Sequence, residues 1–172
     1  GNARQQEYKI KNDTIHHITI YFDLNQSSID RNYTGNINTT ALLDKLLTDS
    51  LQVSCLDSIT VFAYTSPEGS SDSNYQLSAG RSESVRAYLQ QHYPHLNPAI
   101  IITHNKGEDW NGFRNKVIND AHLPDKEEVI AVMNYHSHNK EKQKKLLKRL
   151  NGGKAYAYIK SRILPELRRA EV

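Results

Sequence analysis

Residues 62–89, FAYTSPEGSSDSNYQLSAGRSESVRAYL, constrain the fold more than any other stretch. They join an apolar run to a helix that carries an arginine on its apolar side. DSITVFAY (57–64) is β-branched and aromatic with no charge after Asp57, the composition of an inner strand covered on both faces. SPEGS then turns the chain, and Ser70, Ser71 or Asp72 is placed to cap a helix running to about Gln91. In a helix over 72–91, Leu77, Val85, Tyr88 and Leu89 mark the buried stripe, and Arg81 lies four residues from both Leu77 and Val85. Arg81 therefore faces the sheet. A guanidinium keeps its proton, so an inward arginine must be paired or hydrogen-bonded. Position alone favours a tie to carbonyls of the 65–71 turn; the alternative is a receptor for a ligand carboxylate.

On either side of this unit the periodicities alternate between two and about four residues. HHITIYFD (16–23) sets Ile18, Ile20 and Phe22 against His17, Thr19 and Tyr21, which predicts a first strand. NTTALLDKLLTDS (38–50) spaces Leu42, Leu43, Leu46 and Leu47 along one helical stripe behind a Thr or Asn cap. NPAIIITHNKGED (97–109) supplies a third strand. Strands alternating with helices predict one layer of helices packed on a sheet. From Asp109 onward come three helix-period segments, the second opened by Pro124 and the third closed by Gly152 and Gly153. KAYAYIKSRIL (154–164) reads as a last helix ended by Pro165, and ELRRAEV (166–172) as a returning fourth strand at the sheet edge. Residues 1–14 are polar and aperiodic, a leader or an edge segment. The expectation is a single α/β domain over 1–172, with a β-α-β-α-β core, a helical insert at 109–164 and a final edge strand in a mixed sheet. Leu146, Leu147, Leu150, Ile159 and Leu164 are expected to bury the insert in the same core, leaving the lysine-rich face of 140–149 in solvent.

Composition narrows the function. At 172 residues, 37% hydrophobic and with a mean hydropathy of -0.70, the chain is long enough for one domain with a core. Apolar runs such as AIII (99–102) fall far below the roughly 20 residues of a membrane helix, so membrane association is assigned to segments outside this chain. A first residue other than Met reads as a processed chain whose targeting or anchoring segments have been removed. The single cysteine, Cys55, excludes an internal disulfide and a cysteine-based zinc cluster, and is expected to be a small core residue. The net charge of +3 is mild, and a third of the 22 basic residues falls between Lys140 and Lys154. That is a local basic face, without the interleaved aromatics of a nucleic-acid binder. His16 and His17 point to opposite strand faces, and His92, His95, His136 and His138 have no acidic ligand set nearby, which argues against a metal site. No nucleophile–base order, phosphate loop or paired-carboxylate motif stands out, so neither an enzyme nor a cofactor is expected. The Asn-X-Ser/Thr sequons at Asn12, Asn25, Asn32 and Asn38 are cheap matches in an Asn-rich chain.

A family resemblance is carried by Phe22-Asp23 at the end of the first strand, Tyr64-Thr65 at the end of the second, and Gly69 four residues after the Thr. Asn74, Leu77-Ser78, Arg81, Val85 and Tyr88-Leu89 then follow in the helix. This pattern resembles the C-terminal, peptidoglycan-associating domain of OmpA-like proteins over residues 17–108, while the helical stretch at 109–164 is longer than usual. Together with GEDWNGFRNKV, LPDKEEV and LRRAEV it resembles envelope proteins of Bacteroides-type bacteria. The resemblance implies a periplasm-facing, outer-membrane-associated, non-catalytic domain that holds the diaminopimelate of a peptidoglycan stem peptide. Arg81 would receive a carboxylate, aided by N–H groups at the helix start, with Asp23, Thr65, Ser66, Glu68 and Asn74 around it. The aspartate that the family sets after Tyr-Thr to take the ligand ammonium is Ser66 here. Glu68, two residues on, is the candidate replacement. The alternative is a degenerate OmpA-like domain that serves as a protein-protein interaction module of an envelope or surface assembly. Gly80 costs its helix about 1 kcal/mol against Ala, read either as close packing, perhaps on the added helices, or as drift.

Overall fold

Strand β2 (Ile59–Thr65) is the member around which the sheet assembles. The computed structural model describes residues 15–172; the leader or edge segment expected at 1–14 lies outside the described residues. β1 (Thr19–Tyr21), β3 (Ile101–Glu108) and β4 (Arg169–Glu171) complete a four-stranded sheet in the order β1-β4-β2-β3. β2 and β3 run parallel, while β4 pairs antiparallel with both β1 and β2, so the sheet is mixed, as expected.

The last strand corrects one expectation. β4 is not an edge strand but fills the slot between β1 and β2, and the edges are β1 and β3. A three-residue strand with Ala170 wholly buried fits that slot because small residues let the flanking strands close on it. β2 corrects another. It lies inside the sheet, yet its burial alternates strictly, with Ile59, Val61, Ala63 and Thr65 buried and Thr60, Phe62 and Tyr64 half-buried. Helices cover only one face.

That covering layer consists of α1 (Asn36–Leu47), the short α2 (Ser50–Ser54) and α3 (Ser71–His92). Ile18, Ile20, Phe22, Val61, Ala63 and Ile101 from the sheet pack with Leu43, Leu47, Val85 and Leu89 in the first core. α1 starts at Asn36 rather than at the Thr or Asn expected near 38–40, with Gly35 at φ 73 as its cap. Asn36 is fully buried because its amide serves β1, accepting from Tyr21 N–H and donating to the carbonyls of Tyr21 and Asp30. Leu42, placed in the stripe by spacing, is 42% exposed, since α1 rests on the sheet along Leu43 and Leu47 alone. Cys55 is exposed rather than buried because it terminates α2 on the outer side of that layer. α3 begins where the sequence places it, with Ser70 Oγ accepting from Ser73 N–H at 3.2 Å.

The insert comprises α4 (Trp110–Asn119), α5 (Lys126–Tyr135), α6 (Lys140–Arg149) and α7 (Lys154–Tyr158), the last running on through one π-type turn to Ile163. Its apolar stripes do not join the sheet core. Phe113, Val117, Leu123, Val129, Met133, Leu147, Ala155, Ile159, Ile163, Leu164 and Leu167 form a second cluster of their own. Four short helices already bury each other's stripes, so none is left over for the sheet.

Candidate functional site

The turn at 66–70 takes its shape from Gly69 at φ 72, a left-handed conformation that an L side chain resists. Asn74, one turn into α3 and buried, holds this turn from beneath. Its Nδ2 donates to Glu68 O at 2.6 Å, to Ser66 O at 3.4 Å and to Glu108 Oε2 at 2.7 Å.

Arg81 is wholly buried, and each guanidinium nitrogen donates to a backbone carbonyl. Nε reaches Gln26 O at 2.9 Å, Nη1 reaches Tyr64 O at 3.0 Å, and Nη2 reaches Asp23 O at 3.2 Å, with the guanidinium 5.1 Å from the Phe22 ring centroid. The carbonyls are therefore not those of the 65–71 turn. They belong to the end of β2 and to the loop after β1, because Arg81 is two turns into the helix and level with the strand ends. Burial, and after it the nearby positive charge of Arg168, lowers the guanidinium to about 10, while Glu68 opposes the shift.

A second charge cluster sits on the turn. Arg168 Nη2 donates to Glu68 Oε2 at 2.9 Å, and the side chains are 7% and 15% exposed. Ser66 Oγ donates to the same Glu68 oxygen. Thus Ser66 and Glu68, two sequence candidates, meet each other and an arginine that sequence reasoning passed over. Two polar atoms here have no hydrogen-bond partner among the described residues: Thr65 Oγ1 and Arg168 Nε. Asp23, by contrast, turns its exposed carboxylate onto its own Leu24 N–H at 2.7 Å and contributes only its carbonyl.

A third cluster ties the insert to the helix start. Lys144 of α6 is buried, and its Nζ donates to Gly69 O at 2.9 Å, Ser71 Oγ at 3.2 Å, Glu108 Oε2 at 2.5 Å and Glu141 Oε1 at 2.9 Å. Glu108 also accepts from Asn74 and, at 3.0 Å, from Trp110 Nε1. Lys144, alone of the lysines in 140–149, leaves the solvent-facing side expected for them. Nearby, Arg169 Nη1 pairs with Asp109 Oδ2 at 2.8 Å, which fastens β4 to the start of α4. Gly80 is explained locally too: a Cβ there would meet Ser27 at 3.1 Å, so the close approach is to the loop after β1 rather than to the insert.

Sequence reasoning missed Arg168 and Lys144. For Arg168 a signal existed, since adjacent arginines in a strand point to opposite faces and one must turn inward to a carboxylate. For Lys144 there was none beyond its place beside Leu147.

A strand ending in Tyr64-Thr65, a glycine turn and a helix with buried Asn74 and Arg81 are what the OmpA family model matches, over residues 21–129, more than half of the chain. The chain belongs to the OmpA family. An OmpA-like domain of FopA1 from Francisella tularensis subsp. tularensis SCHU S4 is similar over 92% of this chain and 74% of its own, at 17% identity and a TM-score of 0.45. No curated protein matches. The matched OmpA span ends within α5, so Lys144 and Arg168 belong to what this chain adds to the family pattern.

Proposed function

We propose that this OmpA domain is a non-enzymatic, periplasm-facing module that associates an outer-membrane-linked envelope protein with peptidoglycan through carboxylates of its stem peptides. Family membership supports the class of ligand. The observation that carries the site is the convergence of Arg81, Arg168, Glu68, Ser66 and Thr65 at the C-terminal end of β2 beside the start of α3. Paired charges there offer a cation for a carboxylate and a carboxylate for an ammonium. Glu68, rather than the residue at position 66, supplies the negative group in this reading. No helix among the described residues is long and apolar enough to cross a membrane, so anchoring is assigned to segments outside this chain.

One observation favours a different class, an interaction module of an envelope assembly: the cluster's charges are already satisfied by one another, with Glu68 held by both Ser66 and Arg168. Sedimentation with purified peptidoglycan sacculi separates the two. Co-sedimentation of the domain supports the first; a domain left in the supernatant across a salt series rejects it and leaves the interaction module.

A further inference from the structure

Thr65 and Arg168 are 1% and 6% exposed, and each carries one polar atom without a partner. They are also neighbours by register. β2 pairs Phe62 with Glu171 and Ala63 with Ala170, and continuing that antiparallel ladder two residues sets Thr65 opposite Arg168. Buried polar groups are nearly always satisfied, so two orphans facing each other at one spot call for a shared group that donates or accepts there. Arg168 Nε–H only donates, and a hydroxyl does either, so the group that satisfies both is an acceptor. Beside them lies the outermost member of the cluster, the Glu68 carboxylate on Arg168 Nη2 at 2.9 Å.

We propose that Arg168, with Thr65 as second donor, is the carboxylate receptor of this domain, and that the ligand is a zwitterionic amino-acid centre which opens the Arg168–Glu68 ion pair. The incoming carboxylate takes Arg168 Nε–H, Nη2 and the Thr65 hydroxyl. Glu68, released from Arg168 and carried on the Gly69 turn, takes the ammonium borne by the same carbon. Charge balance is kept, since one ion pair is exchanged for two. Arg81 remains on its three carbonyls and positions the strand end. The assignment rests on the peptidoglycan reading for the source of that centre, the distal end of a diaminopimelate side chain.

The test uses the tripeptide L-Ala–γ-D-Glu–meso-diaminopimelate and two analogues, one with its distal carboxylate amidated and one with its distal amine acetylated. Arginine Nε–H resonances are followed by NMR alongside titration calorimetry. The expected result is movement of the Arg168 Nε–H signal with the tripeptide and binding weakened about tenfold by either blocked analogue, as loss of a charged hydrogen bond predicts. Thr65→Val, which keeps the side-chain shape, should weaken tripeptide binding severalfold. Glu68→Gln should abolish the preference for the free amine. A tripeptide that moves Arg81 alone and binds Thr65→Val as tightly as the parent overturns the assignment while the peptidoglycan reading stands. A tripeptide that leaves every arginine signal unmoved, with sacculi also unbound, overturns both.

Discussion

Arg81 spends its donors on holding two chain segments together, and its replacement is a test of folding before it is a test of binding. Arg81→Ala removes the donors of three carbonyls in a region the side chain itself keeps dry, so a loss on the order of 3 kcal/mol or more is expected in urea denaturation. Equal stability of the variant would show that water replaces the guanidinium freely. Tyr93 behaves in an equally local way. Burial, then the 2.6 Å hydrogen bond to Asp44, pushes its phenol far above the usual range. The neutral form is thus favoured by the fold: its stabilising effect is full below the unfolded value of about 10 and declines as pH rises beyond it. Tyr93→Phe should therefore flatten the alkaline fall in stability between about pH 9.5 and 11, and parallel curves for the two proteins would contradict this. Glu68, Ser66 and Arg168 teach the lesson of the same scale. Spacing alone identified Ser66 and Glu68 as candidates, but their mutual bond depends on the turn.

At the scale of elements, the buried Lys144–Glu108 pair is what joins α6 to the start of α3 and the end of β3. Both side chains are less than a tenth exposed, whereas Glu141, the other carboxylate on Lys144, is 58% exposed and adds little. Lys144→Met strands Glu108 with only neutral donors, so about 3 kcal/mol is expected to be lost in thermal or chemical unfolding. Adding Glu108→Gln should restore part of it, because the penalty lies in the unpaired charge rather than in the lost pair. Additive losses in the double variant would mean the two side chains act independently. The N-cap at Ser70, the strand faces of Ile18, Ile20 and Phe22, and the extent of α3 were all legible beforehand. Each depends on residues close together in the chain. The position of α1's inward stripe was not, since Leu42 and Leu43 are equally apolar and only the angle at which α1 meets the sheet selects Leu43.

For the molecule as a whole, two hydrophobic clusters meet through charged contacts: Lys144 on the Gly69 turn and Asp109 on Arg169. The insert carries its own core, so amides of 110–163 should be protected in hydrogen exchange, with α4 and the segment ending at Ile163 slowest. Fast exchange throughout 124–160 would show that the second cluster does not hold. Lys144→Met should raise exchange near the contact, at 69–74 and 140–149, and leave the slow amides around Val117 and Ile159 unchanged.

The sequence by itself determined the elements that rest on local periodicity and turn chemistry: the β2 strand, the glycine turn, the capped α3 helix with its inward Arg81, and membership of a family whose motif they form. It also specified an α/β architecture with added helices. What only the tertiary structure decided was every choice among distant partners. β4 entered the sheet between β1 and β2, where Ala170 fits, and so carried Arg168 to Thr65 and Glu68. The insert's stripes closed on one another instead of on the sheet, and Lys144 came to the Gly69 carbonyl across 75 positions of chain. Periodicity reports that a face must be buried and a charge must be paired; it carries no information on which of several equally suitable faces or charges, far away in the chain, will meet it.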